Sequence, residues 1–418
     1  MFGQTPLVLV ETPESLADCV SALSRARVIG VDTESDSMHH YREKVCLVQV
    51  SDLHTDFVID PLAVDLAPLG AVLASRDIVK VFHGADYDVV CLKRDFGFEL
   101  RNIFDTMIAS QFLGLPRIGL ADLVGTWWGV ELDKKWQRHD WAARPLLDEH
   151  LEYARGDSHW LPALRDILLR RLSQAGRLAH VLEECAIVEA REWVRPRNDP
   201  GEFWRVKGSK QLDATGQRVL RALFAWRDGV AAAADRPVYR VLPEEILLEV
   251  AQRRPESTEA LAAAFRRNAP FVRRFGDELV EAVLAGLADT EPLPQPPERE
   301  PRVEGGLRGL RAERLMAALK SWRNHEVETR KLPPVAVASN TLLKNLTRQA
   351  PRTREEIESV EEIRTWQKSM YGDTWVGIVN DVLGRGDAAA DTGDRLATRR
   401  RRRRGPRGGS DSAPGQAE

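Results

Sequence analysis

From Gln217 onward the chain repeats itself at a constant offset of 96 residues, and this repeat constrains the fold more than any other feature. Trp226-Arg227, Pro237, Val241, Leu247, Pro255, Glu259, Gly276-Asp277, Val280, Val283 and Leu287 return as Trp322-Arg323, Pro333, Val337, Leu343, Pro351, Glu355, Gly372-Asp373, Val376, Val379 and Leu383. No gap interrupts the offset, and the pattern is helical throughout, so the spacing predicts two copies of one small helical module, at 205–289 and 305–384. Between them lies TEPLPQPPEREPR, whose five prolines and many charges read as an extended linker over 290–304. After Gly384 the chain turns Gly/Ala/Asp-rich and passes through six consecutive arginines, Arg399–Arg404; that composition cannot build a core, and 385–418 is expected to be a disordered tail.

Residues 1–200 follow a different pattern. Apolar, β-branched runs at 26–34, 45–51 and 55–60 predict three strands, with a further strand at 79–82. Helices are expected over 66–75, from Gly84 to about Phe96, near 105–113 and 119–126, and from about 148 to 177. Strands followed by strand–helix alternation predict an α/β domain, a mixed sheet covered by helices. A chain of 418 residues exceeds one core, which fits three domains. Cys19, Cys46, Cys91 and Cys185 are far apart and lack any CxxC spacing, which argues against a disulfide framework or structural zinc and for a reducing compartment. With no signal-like start and no long apolar run, a cytoplasmic protein is expected.

The net charge of −3 is unevenly spread. Residues 1–166 carry 16 Lys+Arg against 26 Asp+Glu, and the remainder carries a surplus of +7. An acidic N-terminal half can still act on nucleic acid where divalent cations neutralise clustered carboxylates, with phosphate contacts supplied downstream. Domain-to-domain scatter explains the asymmetry equally well.

Five residues could make such a cluster. Asp32 and Glu34 end an apolar strand two residues apart, so period-two alternation points both to one face; ordinary turn chemistry at a strand end is the competing explanation. Asp88 lies one turn into the helix after HGA, with Asp86 as a rival two residues earlier, and an exposed Asp there ordinarily complements the helix dipole. Tyr153 and Asp157 are i and i+4 on a helix and share a face. A tyrosine beside a metal-holding carboxylate can orient a water and accept its proton. His83, at a strand end, is either a substrate contact or a hydrogen-bonded structural residue.

Taken jointly, these segments resemble the three motifs of the tyrosine-bearing DEDD exonucleases, and most of all the ribonuclease D family. VDTE matches the first motif, HGADYD the second and YARGD the third; the second selects Asp88, five residues after His83, over Asp86. FDT at 104–106 and LDK…DWAARPL at 132–146 extend the likeness, and the repeats resemble HRDC modules, helical nucleic-acid-binding domains. The resemblance implies a ribonuclease H-like exonuclease domain followed by two HRDC-type domains. It implies two Mg²⁺ or Mn²⁺ ions held by Asp32, Glu34, Asp88 and Asp157, with Tyr153 positioning the attacking water and His83 near the scissile phosphate. It further implies release of mononucleotides from RNA 3′ ends, tRNA precursors among them; a monomer is entertained, and the absence of a long apolar run argues against a membrane partner. The first motif departs from the family's pattern: SDSMHHYREK follows VDTE without the usual aromatic, which puts the terminal-base contact in question.

In the first module, Trp226, Arg227, Arg236, Tyr239 and Arg240 could stack on and neutralise single-stranded RNA. Recurrence of Trp226 as Trp322 assigns that tryptophan to packing and leaves Arg236 and Arg240 as phosphate contacts, with Lys207 and Lys210 before the module. The second module lacks this basic and tyrosine pattern. No phosphate-cradling GxxxxGK[ST] exists to drive a helicase. A DNA-directed repair exonuclease and a catalytically idle RNA-binding scaffold remain the alternative functions.

Overall fold

The computed structural model describes residues 5–193, 201–265, 269–296, 307–360 and 362–402. The chain forms two compact units, residues 1–301 and 302–418. The first module therefore falls in the same compact unit as the sheet domain.

Six strands build one mixed sheet: β1 (Leu7–Val10), β2 (Val28–Ser35), β3 (Val45–Ser51), β4 (Asp56–Ile59), β5 (Val79–Phe82) and β6 (Ile103–Asp105). Their order is β1-β4-β3-β2-β5-β6, with β2–β3 and β3–β4 antiparallel and the outer pairs parallel. The expected strands stand at or within two residues of their places. β1 and β6 were not expected: runs of four and three residues carry too little periodicity to declare themselves. Every residue of β3 is buried, as the centre of a sheet covered on both faces requires. Val48, Val50, Phe57 and Ile59 enter the main core on one face, while Leu47 and Val58 meet Trp141 and Ala154 on the other. Each fully buried Val, Leu or Ile contributes about 1.5–3 kcal/mol relative to exposure.

Among the described residues, eight α-helices accompany the sheet: α1 (Pro13–Leu23), α2 (Gly70–Ala74), α3 (Asp86–Phe96), α4 (Thr106–Phe112), α5 (Leu120–Trp128), α6 (Asp148–His159), α7 (Leu161–Gln174) and α8 (Leu178–Glu189). The single helix expected from about 148 to 177 is two, because Pro162 opens a new first turn just after the Trp160 junction. Gly84 holds φ +82° at the β5–α3 turn, and a Cβ there would stand 2.9 Å from Met107 Cε, so only glycine passes this corner without strain.

The first module comprises α9 (Ala214–Ala233), α10 (Val238–Val241), α11 (Glu244–Arg253), α12 (Thr258–Ala264) and α13 (Ala269–Ala288). The second repeats them as α14 (Gly309–Arg330), α15 (Pro334–Val337), α16 (Asn340–Gln349), α17 (Arg354–Glu358) and α18 (Thr365–Arg402). The likeness reaches individual contacts. Arg227 Nη1 donates to Leu242 O at 3.2 Å, and Arg323 Nη1 donates to Ala338 O at 3.2 Å. Trp226 meets Phe275 edge-on, as Trp322 meets Tyr371. Ser257 and Thr353 cap equivalent helices, and Arg254 and Ala350 end equivalent helices in the left-handed region.

Two segments differ from expectation. The linker's first part is docked, with Leu293 against the first module's core and Trp204 Nε1 donating to Pro294 O at 3.1 Å; residues 297–306 lie outside the described residues. The last helix runs to Arg402, into the stretch where a disordered tail is expected. Residues 403–418 lie outside the described residues.

Candidate active site

The site forms where the end of β2 meets α3 and α6. β2 runs antiparallel to β3 with Asp32 opposite Gln49 and Glu34 opposite Leu47, and the register shifts only after Glu34. Alternation therefore holds across Asp32–Glu34, and both carboxylates face α6. There Asp32, Glu34 and Asp157 offer ligand oxygens that all lie within 4.8 Å of one another.

Asp88 arrives from the first turn of α3, where it is buried. Thr33 Oγ1 donates to Asp88 Oδ1 at 2.5 Å, tying α3 to the strand that carries the other carboxylates. Asp86 instead is exposed and pairs with Arg191 at 3.1 Å, so the fold brings Asp88 and not Asp86 to the cluster. The start of α3 is set by Asp105, whose buried carboxylate accepts from Gly84 N at 3.1 Å and Ala85 N at 2.8 Å while capping α4 through Met107 N and Ile108 N. The FDT segment thus positions the second motif. Thr33 and Asp105 were not identified from sequence; the N-cap spacing of Asp105 before a helix was the available signal.

The electrostatics follow from four carboxylates in one half-buried place. Asp32 is held well above the usual carboxylate range by burial and then by Asp88, Asp157 and Glu34. Glu34 is raised by burial and by Asp157 and Asp88. Asp88 is pushed up to about 6, burial outweighing the Thr33 hydroxyl, and Asp157 to about 7 by burial and Asp88. At the 4.8 Å spacing, two charges in an effective dielectric of about 20 repel by about 3–4 kcal/mol, so full ionisation needs cationic charge in the cluster. All donors are hard carboxylate oxygens, which fits a divalent cation of the Mg²⁺ type and disfavours soft metals.

Tyr153 lies one turn before Asp157 and stacks on Trp141, ring centroids 5.8 Å apart. Burial and the neighbouring Asp157, Glu34 and Asp32 raise its phenol further above its usual range. A protonated hydroxyl at this place can orient a water. A cavity of about 380 Å³ opens beside it, lined by Lys135, Trp136, Glu149, Glu152, Tyr153 and Asp157.

His83 Nδ1 meets Thr106 Oγ1 at 2.9 Å, and because that hydroxyl donates to Phe82 O, the imidazole must donate to it. Burial lowers the His83 pKa, which favours the neutral ring. Lys207, Arg236 and Arg240 are exposed. Trp226 packs within the module core, as its recurrence implied.

The loop that follows Glu34 carries the first module. Tyr41 Oη donates to Asp228 Oδ2 at 2.7 Å, Tyr41 N donates to Asp235 Oδ1 at 3.1 Å, and His40 Nδ1 meets Asp235 Oδ2 at 2.7 Å. From the other side Tyr239 Oη donates to Met38 O at 3.1 Å. This departure from the motif pattern is thus a seam between domains, which no local periodicity announces.

Comparison with known proteins agrees with this geometry. A 3′-5′ exonuclease family model matches residues 7–173, and an HRDC domain model matches 216–283 and 312–379, which stand 96 residues apart. Ribonuclease D of Gluconacetobacter diazotrophicus is 32% identical over 88% of this chain and 91% of its own length. The crystal structure of Escherichia coli RNase D, an exoribonuclease involved in structured RNA processing, superposes with a TM-score of 0.66 at 27% identity, covering 90% of this chain and 99% of that one. The catalytic core of RRP6 from Trypanosoma brucei gives a TM-score of 0.61 at 32% identity, over 70% of this chain and 82% of that one. With the acidic cluster, the paired modules and these likenesses agreeing along nearly the whole chain, the protein belongs to the ribonuclease D family and is a 3′-5′ exoribonuclease.

Proposed function

We propose that this exoribonuclease works by two-metal hydrolysis, with Mg²⁺ or Mn²⁺, on structured RNAs bearing a single-stranded 3′ end, tRNA precursors among them, as a cytoplasmic monomer. The observation that carries the reading is the convergence of Asp32, Glu34 and Asp157 oxygens within 4.8 Å. Two divalent cations, when bound, would neutralise this cluster, activate the attacking water and stabilise the departing 3′ oxygen. Asp32, Glu34 and Asp157 would hold them, with Asp88 completing the set and Thr33 fixing its orientation. Tyr153, protonated, would hold the attacking water by its hydroxyl beside Asp157. Lys207, Arg236 and Arg240 would take backbone phosphates upstream of the reacting end, and His83 would lie beside the scissile phosphate as a neutral ring.

The experiment is a 5′-labelled tRNA precursor with a 3′ extension, incubated with Mg²⁺, with Mn²⁺ and with EDTA, beside a DNA oligomer of the trailer sequence. Stepwise shortening of the RNA in either metal and none in EDTA is expected. Faster shortening of the DNA would redirect the assignment to a repair exonuclease, and RNA retention without products would leave a binding scaffold.

A further inference from the structure

The helix that carries Tyr153 and Asp157 is gripped by a second set of residues for which the reaction has no use. Asp56, the first residue of β4, is fully buried, and its two carboxylate oxygens accept from His159 Nδ1 at 2.9 and 3.0 Å. Arg155 Nε stands 3.7 Å from Asp56 Oδ2, and the Arg155 side chain is only 3% exposed. Between these two positions on α6, Ser158 Oγ lies 2.7 Å from Ser51 Oγ at the end of β3. Beneath the same turn runs Gly30 of β2, where a Cβ would stand 2.3 Å from Ser158 O. Three strands thus hold α6 within two residues of Asp157.

A grip at this point answers a physical problem. Asp157 must approach Asp32 and Glu34, yet like charges at that spacing push α6 away from β2. A buried carboxylate is costly unless partnered, and a buried ion pair is weak evidence for overall stability. What Asp56 does contribute is anchorage: it ties Arg155 and His159, which flank Asp157 in sequence, to β4, so that α6 is fixed on the sheet against that repulsion. We propose that Asp56, acting through His159 and Arg155, is a positioning residue that sets the separation of Asp157 from the Asp32–Glu34 pair and thereby the strength of divalent-cation binding. This inference rests on the reading of the carboxylates as the metal site.

The test titrates MnCl₂ into the full-length protein by calorimetry without RNA, and measures kcat and KM on an RNA oligomer, for Asp56→Asn, His159→Phe and, as the reference, Asp157→Asn. Asp56→Asn is expected to weaken Mn²⁺ binding about tenfold and lower kcat about as much, with KM changed less than about twofold. His159→Phe, which leaves Asp56 and Arg155 in place, should move both quantities the same way by a smaller factor. A folded Asp56→Asn protein that binds Mn²⁺ like the wild type, even with a lowered Tm, overturns the proposal and leaves Asp56 a fold residue only. Should Asp56→Asn fail to fold, His159→Phe decides: weakened Mn²⁺ binding supports the proposal and unchanged binding overturns it. If Asp157→Asn itself binds Mn²⁺ normally, the carboxylate reading falls, and that result is distinct from a failure of Asp56 alone.

Discussion

The two helical modules share a skeleton and differ in what they present. Arg227 and Arg323 bridge to equivalent carbonyls, and Trp226 and Trp322 pack on equivalent rings. Around that common core the surface has changed. Asp228, Asp235, Arg236, Tyr239 and Arg240 of the first module stand where the second has Asn324, Lys331, Leu332, Val335 and Ala336. The two aspartates hold the loop behind Glu34, and the second module lacks both carboxylates, with the charge reversed at Lys331. Packing positions are constrained by volume and burial, whereas edge positions are free to acquire a partner. The first module is part of the compact unit that holds the carboxylates, and the second keeps the scaffold without those two aspartates.

The largest effect should separate the site from both modules. Asp32→Asn is expected to lower kcat by at least about 10²–10³-fold while RNA binding in EDTA persists, measured by single-turnover trimming and filter binding. Retained activity would mean that bond cleavage does not depend on this cluster. The shared skeleton is tested next. Arg227→Ala leaves Leu242 O without its donor in a buried place and should cost about 1–3 kcal/mol in urea unfolding. Arg323→Ala, at a more exposed position, should cost less; the reverse order would break the view that the first module is the more tightly integrated.

The divergent surface gives a smaller effect. Arg236→Ala with Arg240→Ala should raise KM several-fold and flatten the salt dependence by about one unit of log–log slope per arginine lost. Substituting Lys344 and Lys368 of the second module is the matched control and should change neither quantity comparably.

The smallest effect concerns the seam itself. His40 is raised above its ordinary pKa first by its hydrogen bond to Asp235, with Asp36 and Asp140 adding to it and burial opposing, and Asp235 is lowered first by His40 and then by Tyr41 N–H. A raised histidine stabilises the folded state below its unfolded pKa of about 6.5 and loses that contribution as pH rises through its folded value. The lowered aspartate acts above its unfolded pKa of about 3.9 and loses its contribution as pH falls through its folded value. Hydrogen exchange of residues 36–44 should therefore be slowest between these limits and quicken as pH rises through the His40 folded value, after correction for intrinsic exchange. Asp235→Lys, which installs the second module's residue, should remove that dependence; if it survives, the His40–Asp235 pair is not the seam's titrating element.

Much of this was legible in the residues. The strands at 45–51 and 79–82 coincide with β3 and β5, because short β-branched runs bounded by polar turns are a local signal. The 96-residue offset located both modules, and the helical placement of Asp88, Tyr153 and Asp157 followed from spacing alone. The break at Trp160 and the strands β1 and β6 were missed where the local signal was ambiguous.

The sequence by itself determined the chemistry at hand: which carboxylates exist, which faces of strand and helix they occupy, and that a helical unit occurs twice. Those properties depend on neighbours within a few residues. Only the tertiary structure decided that Thr33 would fasten Asp88, that Asp56 would hold the helix of Asp157, and that one module would close on the loop behind Glu34. These contacts join residues 55, 103 and 187 positions apart. Separations of that size leave no periodicity in the chain, because the partners meet only after the sheet has formed and long loops have closed.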